Sequence, residues 1–499
     1  MSMTSSDIRR IFIDFFEEHG HVNVPSSSLI PRNDPTVLLT TAGMQQMTPY
    51  FLGLEPPPAY RMTSIQKCFR TVDIDDVGDE RHGTFFQMLG NFSVGEYFKR
   101  DAIRFAWDLL TGPYGITPAR LQATTHPDDD EARQLWKDVV GLTDDRIHVD
   151  PDNVWGPVGD SGPFGLNSEL HVDRGAQYGC GEPDCGPNCP RCDRWMELWN
   201  LVFMGLYKEG DGTQRELEKK NIDTGMGLER LAMVLQDVPT MYETDFHTPM
   251  INRAAAIAGT TYGAGDDSDR SLRVISDHGR GMTFLIADGV LPSNEGRGYV
   301  LRRILRRAVR HGRSIGIQRP FLTEIADVVI ENYGAFYPEL VNRRQTILRV
   351  IANEEQSFAR TLAAGMSRFD AMVAELGSAS GGVIPGEEAF RLYDTYGFPF
   401  ELTAELARDA GFEIDADGFA EALEQSRARS RQHVHSFADS GRERARLYAA
   451  AKGAPVEFVG YTEDATEGQI TDILGADASV EQLDAGQPGE VVLNRTSFY

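Results

Sequence analysis

The sequence lacks any apolar run close to the roughly 18 residues that a helix needs to cross a bilayer. Its first six residues also lack the basic and then apolar pattern of a secretory signal. Only five cysteines occur, and four of them fall between Cys180 and Cys192, which excludes a disulfide framework spread through a secreted fold. Together these absences predict a cytosolic protein with no membrane partner.

Basic residues are also scarce, because 49 lysines and arginines face 75 aspartates and glutamates, for a formal net charge of -26. The resulting field repels phosphate, so indiscriminate binding to polyanions is excluded and any nucleic-acid site must be a local basic patch. With 41% hydrophobic and 25% charged residues the chain has the composition of a folded protein. Its length predicts about three domains of roughly 150 residues.

Short β-like runs alternate with Gly and Pro turns up to about residue 235, for example at 36–41, 83–89 and 199–204. Few helical patterns separate them, which favours an antiparallel sheet with flanking helices. A helix capped at Ser5 and Ser6 precedes this region, long helical patterns follow it, and short strands return after Pro455. We therefore predict an α+β fold with domains at 1–240, 241–455 and 456–499.

Two segments carry the chemistry most clearly. In the first, Asp223 precedes two glycines and a helical pattern that contains Arg230, an arrangement that brings backbone and a cation close to a phosphate. In the second, a strand, a loop and a returning strand carry Arg70, Arg81 and the pair Phe85 and Phe86, of which only one can face a ligand. A simple turn and simple core packing are the alternatives for these patterns.

Segments 26–44, 70–92 and 224–230 resemble the three signature motifs of class II alanyl-tRNA synthetases, and segments 199–204 and 294–299 add to the match. The resemblance implies a class II catalytic domain, a helical tRNA-recognition domain and the start of a β-rich editing domain. The strand-like end at 497–499 then suggests a fragment without its editing domain. We expect it to activate serine measurably and not to clear Ser-tRNA. The oligomeric state stays open.

The implied reaction joins alanine to tRNA(Ala) at the expense of ATP, with Mg²⁺ as cofactor. Because no protein nucleophile is needed, alignment and cation placement supply the catalysis. The resemblance implies that Arg70 binds the α-phosphate and the alanine carboxylate, while Arg81 and Arg230 hold the β and γ end beside Gly227. It also implies that Phe86 stacks on adenine, whereas Phe85 goes to the core.

Alanine offers only an ammonium and a methyl group for recognition. By resemblance, Asp223 binds the ammonium, and the remaining contacts come from Trp155, Asn200, Val202 and Gly225. For a lone Trp or Val, core packing is the alternative. Where the family leads us to expect cysteines, this chain has Phe164 and Asn167, which leaves the role of Glu169 open. Likewise, Gly83 and Gln87 replace an expected His and Glu, so adenine contacts other than stacking stay open.

Four cysteines, Cys180, Cys185, Cys189 and Cys192, lie in a loop rich in Gly and Pro. Four thiolates at this spacing are typical of a closed, structural Zn²⁺ site, and a cytosolic location disfavours disulfides. Free thiols or a disulfide pair are the alternatives.

A basic helical pattern at 297–313 stands out in this acidic chain. One face carries Arg302, Arg303, Arg306, Arg307 and Arg310 without interleaved carboxylates, so we expect it to bind tRNA phosphates rather than form an ordinary solvated face. By resemblance, Asn294 and Asp394 grip the G·U pair of the acceptor stem.

Two other functions fit the sequence less well. A synthetase-like RNA-binding or regulatory protein without catalysis is expected to have lost Arg70, Asp223 or Arg230, yet all three are present. A zinc hydrolase needs an open metal position and a water-activating carboxylate, which four thiolate ligands do not offer.

Overall fold

A computed structural model describes residues 3–32, 37–157, 161–377, 382–428, 456–459, 466–475, 478–484, 487 and 489–496. The chain divides into two compact units, Met1–Glu375 with Leu392–Leu406, and Leu376–Arg391 with Ala407–Tyr499. The predicted boundary at 240 falls inside the first unit, and the predicted domain boundaries stay predictions. Within the described ranges, no helix is both long and apolar enough to span a membrane.

Helix α1 (Ser5–Glu18) confirms the predicted amphipathic helix at the start of the chain. Its N-cap is Thr4 instead of the predicted serines, because the Thr4 hydroxyl accepts from the backbone N–H of Asp7 and the Asp7 carboxylate bonds back to Thr4. The apolar stripe packs into the core through fully buried Ile8, Phe12 and Phe16.

A nine-stranded sheet forms the centre of the first unit, in the order β1-β2-β3-β9-β8-β7-β4-β5, with β6 paired to β7. The pairings from β2 through β3, β9, β8 and β7 to β4 are antiparallel, as predicted. The strands are β1 (Val22–Asn23), β2 (Arg61–Phe69), β3 (Phe85–Val94), β4 (Leu121–Thr125), β5 (Ile147–Val149), β6 (Val154–Trp155), β7 (Gly162–Asp173), β8 (Trp195–Lys208) and β9 (Gln214–Gly227).

The edges of the sheet differ from the prediction, because β1 pairs with β2 and β4 pairs with β5 in parallel. Parallel neighbours need a crossover connection, which helix α4 (Asp130–Val140) supplies between β4 and β5. The strand predicted at 36–41 is wrong in its described part, 37–41. There, Thr40 makes single backbone hydrogen bonds to Leu29 and Phe69 instead of a ladder.

Helices cover the sheet and dominate the described residues from 248 to 428, which confirms the predicted change to helical structure. The long helix α7 is buried along most of its length and contacts the sheet where Phe284 stacks on Phe85. The helices are α2 (Thr48–Phe51), α3 (Lys99–Thr111), α5 (Leu228–Leu235), α6 (Thr248–Ala258), α7 (Asp266–Ala287), α8 (Gly296–Ser314), α9 (Leu322–Tyr333), α10 (Pro338–Asn342), α11 (Arg344–Leu376), α12 (Gly386–Tyr396) and α13 (Phe400–Asp409).

The described strands of the second unit form two-stranded pairs. Strand β10 (Val383–Ile384) pairs with β11 (Glu413–Ile414), β12 (Glu457–Phe458) with β15 (Arg495–Thr496), and β13 (Ile470–Leu474) with β14 (Glu490–Leu493). Strands β12, β13 and β14 confirm the short strands predicted after Pro455. The strand predicted at 497–499 lies outside the described residues.

Candidate active site

The sheet brings the predicted alanine-binding residues onto one face: Trp155, Asn200, Val202, Asp223 and Gly225. Asp223 on β9 pairs with Val202 on β8, and Gly225 pairs with Asn200. Trp155 on β6 and Val202 on β8 both pair with strand β7, and their two partners on β7 lie two positions apart. Because paired and alternate residues of a sheet project to the same side, these five positions share one surface.

Asp223 is buried, with only 5% of its surface exposed. Among the residues that the structure describes, none donates a hydrogen bond to its carboxylate or forms an ion pair with it. Burial without a compensating partner raises the pKa of Asp223 from 3.8 to about 7. Such a carboxylate lacks a cation, and an ammonium group would supply one.

An apolar wall stands beside this carboxylate. Val202 is buried in a cluster with Met44 and Phe92, and the partly buried Trp155 packs against the same cluster. A Cβ atom at Gly225 would lie 2.9 Å from the sulfur of Met88, so a larger residue there would displace the Met88 side chain. The surface therefore suits a small apolar group.

A polar network next to the wall orients Asn200. The Asn167 amide donates to Oδ1 of Asn200 at 2.8 Å, and both amides donate to Glu169 at 3.3 Å. Glu169 also accepts from Thr124 and contacts the buried His171 at 3.2 Å. The structure thus places Glu169 beside Asn200 on the same face, as a group that holds Asn200.

Arg70 and Phe86 lie together on the same face of the sheet. The guanidinium carbon of exposed Arg70 is 4.9 Å from the centre of the half-buried Phe86 ring. Phe85 points to the opposite face, where it is buried and stacks on Phe284 at 4.1 Å. The prediction that Phe85 belongs to the core is confirmed, and Phe86 is the ring left on the open side.

Arg81 and Arg230 are both accessible, and each is paired with a carboxylate. Arg81 contacts Asp193 at 2.5 Å, and Arg230 contacts Glu197 at 3.1 Å. The helix predicted after the glycines is confirmed, because α5 begins directly after Gly227 and carries Arg230 in its first turn. A phosphate at this position would have to compete with Asp193 and Glu197 for the two guanidinium groups.

The cysteine loop connects β7 to β8. Sulfur atoms of its four cysteines all lie within 4.8 Å of one another, at 3.9 Å for Cys180 and Cys189 and 3.5 Å for Cys185 and Cys192. Zinc–sulfur bonds of about 2.3 Å in a tetrahedron put sulfurs roughly 3.8 Å apart, so the cluster fits a zinc ion.

A cavity of about 190 Å³ brings Asn294 and Asp394 together. Arg302 and Arg306, on α8, also line it, and Arg302 donates to Oδ1 of Asn294. Within the described chain no partner contacts the Asp394 carboxylate, so the cavity offers the amide hydrogens of Asn294 and a free acceptor.

The basic face of α8 requires a correction. Carboxylates from other elements pair with its arginines: Glu354 with Arg302 and Arg306, Asp75 with Arg303, and Glu405 with Arg307 and Arg310. Arg307 is 2% exposed, which contradicts its predicted place on a solvent-facing phosphate-binding surface. The sequence of one helix could not show partners that lie up to 228 residues away.

The family model for class II (A) tRNA synthetases matches residues 7–499. The chain belongs to this family. The alanine–tRNA ligase of Dehalococcoides mccartyi is 46% identical over 99% of this chain and 57% of its own length. That of Thermoanaerobacter sp. is 44% identical over 99% of this chain and 56% of its own length. This class II synthetase chain thus spans a little more than half the length of these relatives.

Among solved structures, the apo histidyl-tRNA synthetase of S. aureus aligns with 46% of this class II chain and 65% of its own. The sequence identity is 12% and the TM-score is 0.29, which is too low to support a statement about the fold.

Sequence reasoning missed the carboxylates that partner the site arginines. Asp193 directly follows a cluster cysteine and Glu197 lies on β8, but neither position carries a pattern that indicates an ion pair. It also missed that Asn167, which replaces an expected cysteine, binds Asn200. The strand alternation of β7 and β8 was the only available signal for that contact.

Proposed function

We propose that this class II synthetase chain activates alanine with ATP and transfers it to tRNA(Ala). The observation that carries the proposal is the buried Asp223 carboxylate, which has no partner among the residues that the structure describes and lies opposite Val202 on the site face. A free ammonium supplies the missing cation, and a methyl group fits the apolar wall. The identity of 44–46% to alanine–tRNA ligases supports the same substrate.

In the proposed reaction the alanine carboxylate attacks the α-phosphorus of ATP, and pyrophosphate leaves with the developing negative charge. Arg70 aligns the two reacting groups above Phe86, while Arg81 and Arg230 hold the departing phosphates. Mg²⁺ bound to ATP supplies additional positive charge. Since Asp193 and Glu197 occupy two of the guanidinium groups, triphosphate binding exchanges one anion for another at those arginines.

We further propose that the four cysteines hold a structural Zn²⁺ ion. The sulfur distances support four-coordinate binding, and a site closed by four thiolates leaves no position for a catalytic water. The ion would fix the loop that ends at Asp193, the partner of Arg81.

For tRNA, we propose that Asn294 and Asp394 read the shallow minor groove of the acceptor stem. The Asn294 amide donates, the Asp394 carboxylate accepts, and the two groups line one cavity. They therefore suit a base-pair edge that offers both a hydrogen-bond acceptor and a donor. Arg302 and Arg306 lie beside them and place positive charge near the backbone.

Pyrophosphate exchange into ATP tests the proposal without tRNA. We expect exchange to depend on alanine, to proceed with serine within about a hundredfold of alanine, and to be negligible with leucine, which the wall excludes. Exchange that leucine supports as well as alanine would contradict the proposed pocket. A chain that binds tRNA(Ala) but shows no exchange would indicate the non-catalytic alternative.

A further inference from the structure

Residues 71–83 form most of the connection between β2 and β3; the predicted ATP-binding residue Arg70 directly precedes this loop, and the second one, Arg81, lies near its end. Helices α7 and α8 hold this loop along its length. Arg303 contacts the Asp75 carboxylate at 2.5 Å, and Arg307 donates to the backbone oxygen of Val77 at 2.9 Å. We call these two contacts the loop clamp.

Contacts from α7 hold the same loop. Arg273 donates to the Gly78 oxygen and contacts Glu80, both at 3.4 Å. Just past the loop, Asp277 accepts from the backbone N–H and the hydroxyl of Thr84, at 2.8 and 2.6 Å. The loop is therefore tied to the helices at several consecutive points.

Gly78 shows how closely the loop approaches α7. Its φ is 121°, and a Cβ atom there would lie 2.8 Å from Cγ of Arg270. Only a glycine allows this backbone to lie against the helix.

Arg307 is the buried centre of the clamp. It makes two hydrogen bonds to Glu405, at 2.9 and 3.0 Å, and one contact to His278 at 3.0 Å, besides the bond to Val77. His278 in turn contacts Asp277, so Arg307 connects to the Thr84 contact through buried groups. These partners engage every guanidinium nitrogen of Arg307, and the residue is only 2% exposed, so an RNA phosphate cannot reach it.

We propose that Arg303 and Arg307 are positioning residues for ATP instead of phosphate contacts for tRNA. They fix the loop so that Arg70, just before it, and Arg81, near its end, face the same nucleotide. The inference rests on the proposed function, since it needs those two arginines to bind ATP. In a reaction that contains no tRNA, loss of these arginines should weaken ATP binding if they position the loop, and should have no effect if they only contact tRNA.

The test is alanine-dependent pyrophosphate exchange without tRNA, with the variants Arg303→Gln, Asp75→Asn and Arg307→Lys. We expect KM for ATP to rise about two- to five-fold in Arg303→Gln and Asp75→Asn, because each removes a partly exposed ion pair. Because Arg307 is buried, we expect a larger rise, about tenfold or more, in Arg307→Lys. KM for alanine should rise less than KM for ATP, because Asp223, which the loop does not carry, still binds the ammonium. Arg303→Lys should restore much of the wild-type value.

A double variant of Arg303 and Asp75 should behave like either single variant, because both changes remove one contact. Arg313→Gln is the matched control, since Arg313 lies on the same helix and bonds Gln318 rather than the loop. An unchanged KM for ATP together with weaker tRNA charging would overturn the proposal and return Arg303 to the tRNA.

Hydrogen exchange of the 71–83 amides gives a readout that does not depend on activity. Faster exchange confined to this loop in Arg303→Gln supports the clamp, and exchange equal to that of the wild type overturns it. If the wild-type chain shows no alanine-dependent activity, the proposed function fails, while the exchange measurement still tests the clamp.

Discussion

Replacing Asp223 by asparagine should make the protein more stable and inactive at the same time. The carboxylate is buried and lacks a partner within the described residues, so its charge is unfavourable in the free protein. Asparagine has nearly the same shape but no charge. The variant therefore removes the cost of burying the charge together with the group proposed to bind the ammonium.

The size of the effect follows from the pKa, which burial raises from 3.8 to about 7. About three units at 1.36 kcal/mol each correspond to roughly 4 kcal/mol as an upper bound. Because the folded form binds the proton more tightly, the contribution of Asp223 to wild-type stability is most favourable below pH 3.8 and falls as the pH rises to about 7. Asparagine does not titrate, so the advantage of the variant should be largest above pH 7.

Chemical denaturation at pH 5 and pH 8 measures this difference. We expect Asp223→Asn to unfold at higher denaturant than the wild type at pH 8, with a smaller gain at pH 5. Asp108→Asn, at an exposed position of α3, is the matched control and should change little at either pH. A variant no more stable than the wild type at pH 8 would refute the reasoning about an unpartnered buried charge.

Three further predictions follow from the site. KM for alanine should rise by up to tenfold per pH unit below pH 7, as Asp223 takes up its proton, and a flat profile from pH 8 to 6 would contradict this role. Metal analysis should find one zinc per wild-type chain and little in Cys185→Ala, whereas equal zinc in both would exclude the cysteine site. Asp394→Ala should abolish charging of tRNA(Ala) but spare alanine activation, and equal loss of both would count against its assignment.

Local patterns were enough for some parts of the site. Strand alternation required Phe85 and Phe86 to face opposite sides, and the structure buries Phe85 against α7. The helix after the glycines and the antiparallel centre of the sheet also follow from local sequence. These features depend only on residues a few positions apart in the sequence, or on the alternation of side chains along a strand.

Contacts between distant elements could not be predicted in this way. The arginines of α8 look unpaired in sequence, but Glu354 and Glu405 approach them from α11 and α13. The parallel pairing of β4 and β5 depends on where α4 returns the chain, which composition does not specify. The grouping of Asp223 with Val202 was available only through family resemblance, because strand register is a tertiary property.

The central claim is that one sheet face holds an amino-acid ammonium at Asp223 while arginines hold the attached nucleotide. Calorimetric binding of a non-hydrolysable sulfamoyl analogue of alanyl-adenylate tests it most directly. We predict that Asp223→Asn weakens binding by at least about a hundredfold at pH 8, as expected when one partner of a buried charge pair is removed, while Asp108→Asn binds like the wild type. Equal affinity of Asp223→Asn and the wild-type chain for the analogue would contradict the account.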